Sequence, residues 1–481
     1  MTLMQRNITK VGKIVKCFIQ QDVIPVRSCA VPHNITSHRG LVVGSAKLKQ
    51  GVCGLKNYSK SYKTVLTSNQ SHLKCMSTAS SNSSYGVDKV QISPDNRYLA
   101  VRWTNGKQSQ YHSVWLRHNC HCDDCKQKDS GQKIFDVASI PTVVHLHQVT
   151  VKGNTLHLIW GGECEHRGEV PASLLWQCDY SQEALNRRYQ DTRLDENCWT
   201  KKIPEMYFEE IINSDKGLLS FLTNINVYGL CLLKKVPLKE DKVTQVAKRI
   251  WPYIENTIYG EIFEVVAAPK PINVAYSDVH LDLHMDLVYY ESPPGLQLLH
   301  AVRFDDCVVG GESTFLDVFQ VAQQFKVTHP EEFRSLVQIP ASFQKIHYDR
   351  ELPVHLTRQQ PHIVLNHNEE IVRVNWAPAF EAPLTVNEEN VETYYKAYGA
   401  FARAVRDSPN LLTMRMKPGD MTVFNNRRML HGREQFKLNG GVRFLKGAYV
   451  HTDHFKIRLQ TLSRLLGDDH TMKHVGNGDW F

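Results

Sequence analysis

The chain has 481 residues, 42% of them hydrophobic and 22% charged. This is the composition of an ordinary water-soluble globular protein, and the length implies more than one domain. No apolar run reaches the roughly 18 residues a membrane span needs. The formal net charge of +8 is unevenly placed: residues 1–86 carry twelve Lys or Arg against Asp22, a balance of +11, which leaves −3 for the remainder. A mildly acidic folded part removes most of the electrostatic argument for nucleic-acid binding, which needs a basic face on the folded domain itself.

The opening stretch places Met4, Ile8, Val11 and Val15 at helical spacing, with Arg6, Lys10, Lys13 and Lys16 between them. A basic, acid-poor, amphipathic start reads as a mitochondrial transit segment. The alternative is an untargeted leader on a cytoplasmic protein. Residues 1–86 are therefore set apart from the fold.

From about Val87 the pattern turns β-like. RYLAVRWTNGKQSQYHSVWL offers two alternating runs around Asn105-Gly106, and VVHLHQVTVKGNTLHLIW repeats the arrangement around Lys152-Gly153-Asn154. Both are hairpin signals, so residues 87–180 are expected to form a small β-rich domain. Residues 181–217 are charged and weakly periodic, a partly helical connector. A longer domain is expected over 218–468, followed by a tail at 469–481. Helical spacing marks LKEDKVTQVAKRIWPYI and NEENVETYYKAYGAFARAVRD, and between them lie short β runs with turn-rich spacers. The expectation is a mainly β protein with peripheral helices, whose larger domain is an antiparallel jelly roll, or double-stranded β-helix. There is no internal repeat.

Within VHLDLHMDLVYY, His284 and Asp286 stand two apart, and in an alternating strand both side chains project from one face. One further His completes a two-His, one-carboxylate triad, which leaves positions on Fe(II) open for a co-substrate and dioxygen. His431 follows the run DMTVFNNRRML, read as a later strand of the same sheet. Arg443, twelve residues on, is placed to hold the distal carboxylate of 2-oxoglutarate through paired, charge-assisted hydrogen bonds. No local motif supports a Ser or Cys nucleophile.

Twelve cysteines do not form a disulfide framework: four lie in the leader, and Cys164, Cys178, Cys198, Cys231 and Cys307 are scattered. Cys120, Cys122 and Cys125 are clustered, and His166 follows the second hairpin. Thiolates with imidazole suit a closed, structural zinc, with unpaired thiols as the alternative. Asp123 and Asp124 within the cluster argue against a nucleic-acid-binding module.

The segments VWLRHNCHCDDC, TIYG, NVAY, PPGLQLLHAV, GGESTFLD, KPGD, LHGRE and GAY, spread from about Val87 to Asp468, resemble the γ-butyrobetaine and trimethyllysine dioxygenases of carnitine biosynthesis, within the wider taurine-dioxygenase-like oxygenases. The resemblance implies a double-stranded β-helix, Fe(II), 2-oxoglutarate and O2 as co-substrates, ascorbate, and a homodimer. It also implies a Cys3His structural zinc at Cys120, Cys122, Cys125 and His166, with Cys164 and His121 as nearby decoys. Ser313 would assist 2-oxoglutarate binding. Tyr259, Phe263, Tyr276 and Tyr449 would enclose a trimethylammonium group, and Asn273 would hold the substrate carboxylate. In isolation these aromatics read as ordinary core residues. Three positions depart from the family pattern. Phe263 replaces the usual Trp, while Leu287 and Ala377 stand where γ-butyrobetaine dioxygenases carry Tyr and Asn. The reaction implied is hydroxylation of a small trimethylammonium carboxylic acid, γ-butyrobetaine to L-carnitine; the alternatives are trimethyllysine or another small acid as substrate, and a non-catalytic binding protein on the same fold.

Overall fold

The computed structural model describes residues 86–194, 202–267, 274–467, 472, 473 and 475. The leader up to residue 85, Asn273, Cys198 and most of the tail lie outside these residues. Strands β1 (Val87–Ile92), β2 (Tyr98–Trp103) and β3 (Gln108–His112) form one antiparallel sheet. Strands β4 (His145–Lys152), β5 (Thr155–Gly161) and β6 (His166–Pro171) form another. Both expected hairpins are present. Gly106, at φ 85, closes the first turn with a bond to the Trp103 carbonyl, and Gly153, at φ 57, begins a two-residue loop in the second. Positive φ at these sites is what only glycine adopts without strain. Alternation then sends Leu99, Val101 and Trp103 of β2, and Leu156, Leu158 and Trp160 of β5, into one shared hydrophobic cluster.

Beyond residue 204 the strands are β7 (Glu205–Tyr207), β8 (Leu230–Lys234), β9 (Ile262–Val265), β10 (Leu281–His284), β11 (Leu296–Phe304), β12 (Val309–Gly310), β13 (Ser313–Asp317), β14 (Pro340–His347) and β15 (Val354–Pro361). They continue with β16 (Ile363–Leu365), β17 (Ile371–Val374), β18 (Leu412–Met414), β19 (Met421–Asn425), β20 (Met429–Arg433), β21 (Phe436–Lys437) and β22 (Arg443–Val450). The larger sheet has the order β7-β8-β19-β11-β22-β9 and the smaller β10-β20-β13-β18. Every pair is antiparallel except β7-β8. Phe315 of β13 meets Phe424 of β19 edge-on at 5.3 Å, so the two sheets face each other as a jelly roll.

Helices Asp215–Tyr228, Lys242–Ile250 and Thr452–Leu466 cover the outer face of the larger sheet, burying Leu296, Leu298, Met421, Val423, Ala448 and Val450. Each such aliphatic side chain contributes about 2 kcal/mol. The first of these helices is bounded as its sequence dictates: Ser214 caps its start by accepting from the Gly217 amide, and Gly229, at φ 77, ends it. Helices Val318–Thr328, Pro330–Gln338 and Val391–Arg406 pack with β16 and β17 in a second cluster.

Three details differ from expectation. Strand β7, within the expected connector, already pairs with β8. The run DMTVFNNRRML is two strands, β19 and β20, which enter different sheets through a turn at Asn426, Arg427 and Arg428. The strand of VHLDLHMDLVYY ends at His284. Among the described residues no helix is long and apolar enough to cross a membrane.

Candidate active site

His284 is the last residue of β10 and lies directly opposite His431 of β20, their ring centroids 4.3 Å apart. The chain then leaves the strand. Met285 enters the core, Asp286 falls in a turn, and Leu287 takes φ 54. Strand alternation therefore does not bring Asp286 beside His284, as had been expected. A side chain 140 positions away does so: the Asp286 amide donates to Asn426 Oδ1 at 2.8 Å, and Asn426 Nδ2 donates to the Asp286 carbonyl at 3.0 Å and to the Pro294 carbonyl at 3.2 Å.

The result is a compact donor set. His284 Nε2 stands 3.4 Å from Asp286 Oδ1, and His431 Nε2 stands 3.8 Å from Asp286 Oδ2. One ligand atom from each residue lies within 4.8 Å of the others. His284 Nδ1 donates to the Asp282 carbonyl at 2.8 Å, which leaves the Nε2 lone pair directed at the centre of the group. Burial alone would raise the Asp286 carboxyl, but the bond from His284, the neighbouring His431 and the Tyr449 hydroxyl hold it well below the usual carboxylate range. Burial and the adjacent His284 push His431 down to about 3. An ionised carboxylate beside a neutral imidazole is the protonation state in which such groups bind a divalent ion.

Asn426 was missed by sequence reasoning, because nothing local links it to Asp286. Asn426→Ala is expected to weaken Fe(II) binding by roughly 10- to 100-fold, the usual range for a group that orients a metal ligand. Two backbone groups of Asp286 also lose their partner, so the melting temperature falls by a few degrees. Anaerobic Fe(II) titration checks this. An affinity equal to the parent's would show that the turn holds itself.

A cavity reaches from the triad to Arg443 and Ser313, between the two sheets. Arg443, the first residue of β22, is buried with its guanidinium 5.3 Å from the Phe304 ring and 5.5 Å from the Phe436 ring. It makes no ion pair among the described residues. Gly311 leaves it room, since a Cβ there would lie 3.1 Å from Arg443 Nε. Burial, with Arg433 and Arg415 nearby, lowers Arg443 to about 9, so it remains a cation at neutral pH. A buried, unpaired guanidinium calls for an anionic ligand. Ser313 opens β13 and is also buried against the cavity.

Arg433 is a second residue the sequence reading passed over. Two positions after His431 on β20, it shares the cavity face and donates to the carbonyls of Ala275, Ser277 and Val279 at 2.7–2.9 Å. These bonds secure the loop that carries Tyr276. The i, i+2 relation to His431 was the available signal.

Tyr259, Phe263, Tyr276 and Tyr449 all line the cavity. Phe263 stacks on Tyr449 with centroids 4.8 Å apart and planes at 24°. Gly447 permits this, because a Cβ there would lie 2.1 Å from the Phe263 ring. Tyr449 has a further task that its expected place in an aromatic cage did not include: its hydroxyl donates to Asp286 Oδ2 at 2.7 Å. Burial and Asp286 keep this phenol far above its ordinary value, so it stays protonated and remains a donor. Leu287 and Ala377 are buried in the hydrophobic cluster and do not line the cavity.

The family model for the taurine catabolism dioxygenases TauD and TfdA matches residues 198–449, more than half of the chain. The chain belongs to this dioxygenase family. A second model, the amino-terminal region of γ-butyrobetaine hydroxylase-like proteins, matches residues 90–168. The chain is 30% identical to a γ-butyrobetaine dioxygenase of Pseudomonas sp. over 76% of its length and 94% of that protein. It is 27% identical to a trimethyllysine dioxygenase of Meyerozyma guilliermondii, covering 78% and 96% of the two chains. A mitochondrial trimethyllysine dioxygenase of Bos taurus is 28% identical, with coverages of 74% and 82%. This TauD-family member is thus an iron- and 2-oxoglutarate-dependent dioxygenase, and the triad and Arg443 offer the donors that those two cofactors need.

In the amino-terminal region of the same dioxygenase, Cys120, Cys122, Cys125 and His166 form a second donor group. The three sulfurs stand 3.5, 3.5 and 3.4 Å from His166 Nε2. Bonds of 2.0–2.3 Å to a tetrahedral centre give N···S edges of about 3.5 Å, so the four atoms already have the spacing of a closed zinc site. Arg117 Nη1 donates to Cys125 Sγ at 3.2 Å. Cys164 stays outside the group, and His121 Nε2 bonds instead with Lys126 Nζ at 2.9 Å. All seven cysteines among the described residues are free.

Proposed function

We propose that His284, Asp286 and His431 bind Fe(II), that Arg443 and Ser313 bind 2-oxoglutarate, and that the enzyme hydroxylates a small trimethylammonium carboxylic acid, γ-butyrobetaine to L-carnitine. One observation carries the substrate class: Tyr259, Phe263, Tyr276 and Tyr449 line the metal cavity, and among the described residues Asp286 is the only acid lining it. A quaternary ammonium has no hydrogen to donate, so aromatic faces attract it where a carboxylate is not needed. Each desolvated contact contributes about 2 kcal/mol.

Bound iron and 2-oxoglutarate supply the oxidation, in which O2 gives one oxygen atom to succinate and the other to the substrate carbon while CO2 leaves. The chain positions the participants. Arg443 neutralises the far carboxylate, Asn426 fixes the backbone of Asp286 and Tyr449 its carboxylate, and the aromatic wall holds the cation so that a C–H bond faces the metal. The wall and the sheets exclude bulk water. Cys120, Cys122, Cys125 and His166 hold a structural zinc, and the basic leader supports a mitochondrial destination.

Trimethyllysine is the second reading, since relatives named trimethyllysine dioxygenase match this chain at nearly the same identity as the γ-butyrobetaine dioxygenase. Succinate formation measured with γ-butyrobetaine, N6-trimethyllysine and related quaternary acids, with Fe(II) and ascorbate present, decides between them. Substrate-dependent succinate and a hydroxylated product are expected with γ-butyrobetaine. Response to neither trimethylammonium acid would sink the substrate proposal.

A further inference from the structure

Gln297 is a polar side chain that the proposed chemistry leaves without a task. Strand β11 runs through the middle of the larger sheet, and its alternate residues divide between two faces. Leu296 and Leu298 enter the cluster beneath the helices, whereas Gln297 and Leu299 line the cavity. The register places Gln297 opposite Phe424 of β19 on one side and Tyr449 of β22 on the other. Tyr449 bonds the Asp286 carboxylate, and the Phe424 ring lies 4.9 Å from that of His431. The amide therefore sits in the same layer as the metal-binding triad.

Gln297 is 2% exposed, its Oε1 is buried without a hydrogen-bond partner, and its Nε2 makes no bond to the protein among the described residues. A buried amide left unpaired costs stability that a leucine in its place would not. Such a group persists where a ligand completes it. The trimethylammonium end of a substrate accepts no hydrogen bond, so it is not that ligand. A carboxylate is. Arg443, at the opposite end of β22, takes the far carboxylate of 2-oxoglutarate, so the acid group nearer the metal falls on the side of Gln297.

We infer that Gln297 is a second 2-oxoglutarate contact, its Nε2 donating to the carboxylate on the metal side. This rests on the proposed iron and 2-oxoglutarate sites. The full chain, loaded with Mn(II) in place of iron, is titrated calorimetrically with 2-oxoglutarate for the parent, Gln297→Leu and Gln297→Glu. A neutral donor to a charged acceptor is worth roughly a tenfold or greater change in affinity, so Gln297→Leu is expected to weaken binding by at least that much. Gln297→Glu, which sets a carboxylate against a carboxylate, abolishes it. The KM for the quaternary acid stays at the parent value, and Gln297→Leu melts no lower than the parent because an unpaired amide has become apolar. Unchanged 2-oxoglutarate affinity in Gln297→Leu overturns the inference, whether or not substrate KM rises. If the parent itself binds no 2-oxoglutarate, the underlying site assignment fails with it.

Discussion

Replacing His284 with alanine is expected to lower turnover to about one thousandth of the parent or less, with the fold intact. Three protein donors meet at this centre, and with His284 gone only Asp286 and His431 remain. A loss of about 4 kcal/mol in metal-dependent stabilisation of the reaction corresponds to a factor of about 10³. The structural cost is small by comparison. His284 is a buried terminal residue of β10, and apart from its contact with the Asp286 carboxylate its side chain is held by a hydrogen bond to the Asp282 carbonyl. Removing it also relieves the close approach of two imidazoles, 4.3 Å apart. Circular dichroism and melting are therefore expected to resemble the parent's. The charge-transfer absorption that 2-oxoglutarate produces on adding Fe(II) without oxygen disappears. A His284→Ala variant that kept substantial turnover would remove His284 from the metal site.

How far this site could be read in the sequence depends on how local its causes are. The hairpins at Asn105-Gly106 and Gly153-Asn154 were legible because turn chemistry resides in two residues. The helices Lys242–Ile250 and Val391–Arg406 were legible from apolar spacing. His284 and Asp286 were brought together as expected, but for a different physical reason. The strand stops between them, and Asn426, remote in sequence, holds the turn. The same remoteness concealed the break in DMTVFNNRRML. Its composition reads as one strand, yet Arg428 reaches Asp317 Oδ2 at 2.7 Å and the Val227 carbonyl at 2.9 Å, while Arg427 donates to the Pro293 carbonyl. Those buried contacts fix a turn that no window of the sequence contains. Gln297, and the bond by which Tyr449 reaches Asp286, were hidden differently. Both residues alternate with aliphatic residues as core positions do, and only the register across β11 and β22 shows that their polar atoms meet the cavity.

Substituting alanine for Gly168 is expected to strip zinc from the amino-terminal region, and the reason lies in a single close approach. A Cβ at Gly168 would stand 2.2 Å from Cys120 Sγ and 3.0 Å from His166 Nε2. Gly168 lies in β6 without a positive φ, so alanine suits its backbone, and the three atoms nearest the added methyl group all belong to Cys120 and His166. If the thiols were unligated, Cys120 could rotate aside at little cost and the substitution would be nearly silent. If a tetrahedral ion fixes all four atoms, the thiol cannot move without losing its bond. Structural zinc contributes about 10–16 kcal/mol to small domains that depend on it, against a typical domain stability of about 5–15 kcal/mol. Loss of the ion is thus enough to unfold the two three-stranded sheets. Elemental analysis is expected to find one zinc per parent chain and a small fraction of that in Gly168→Ala. Cys122→Ser behaves likewise, and hydrogen exchange rises across β1–β6 in both variants. A parent chain without zinc, or a Gly168→Ala chain that retains it with unchanged exchange, would return these residues to ordinary free thiols. An ion held by all four of these residues would have no tetrahedral position left for substrate, so its removal is expected to act on turnover only through the fold.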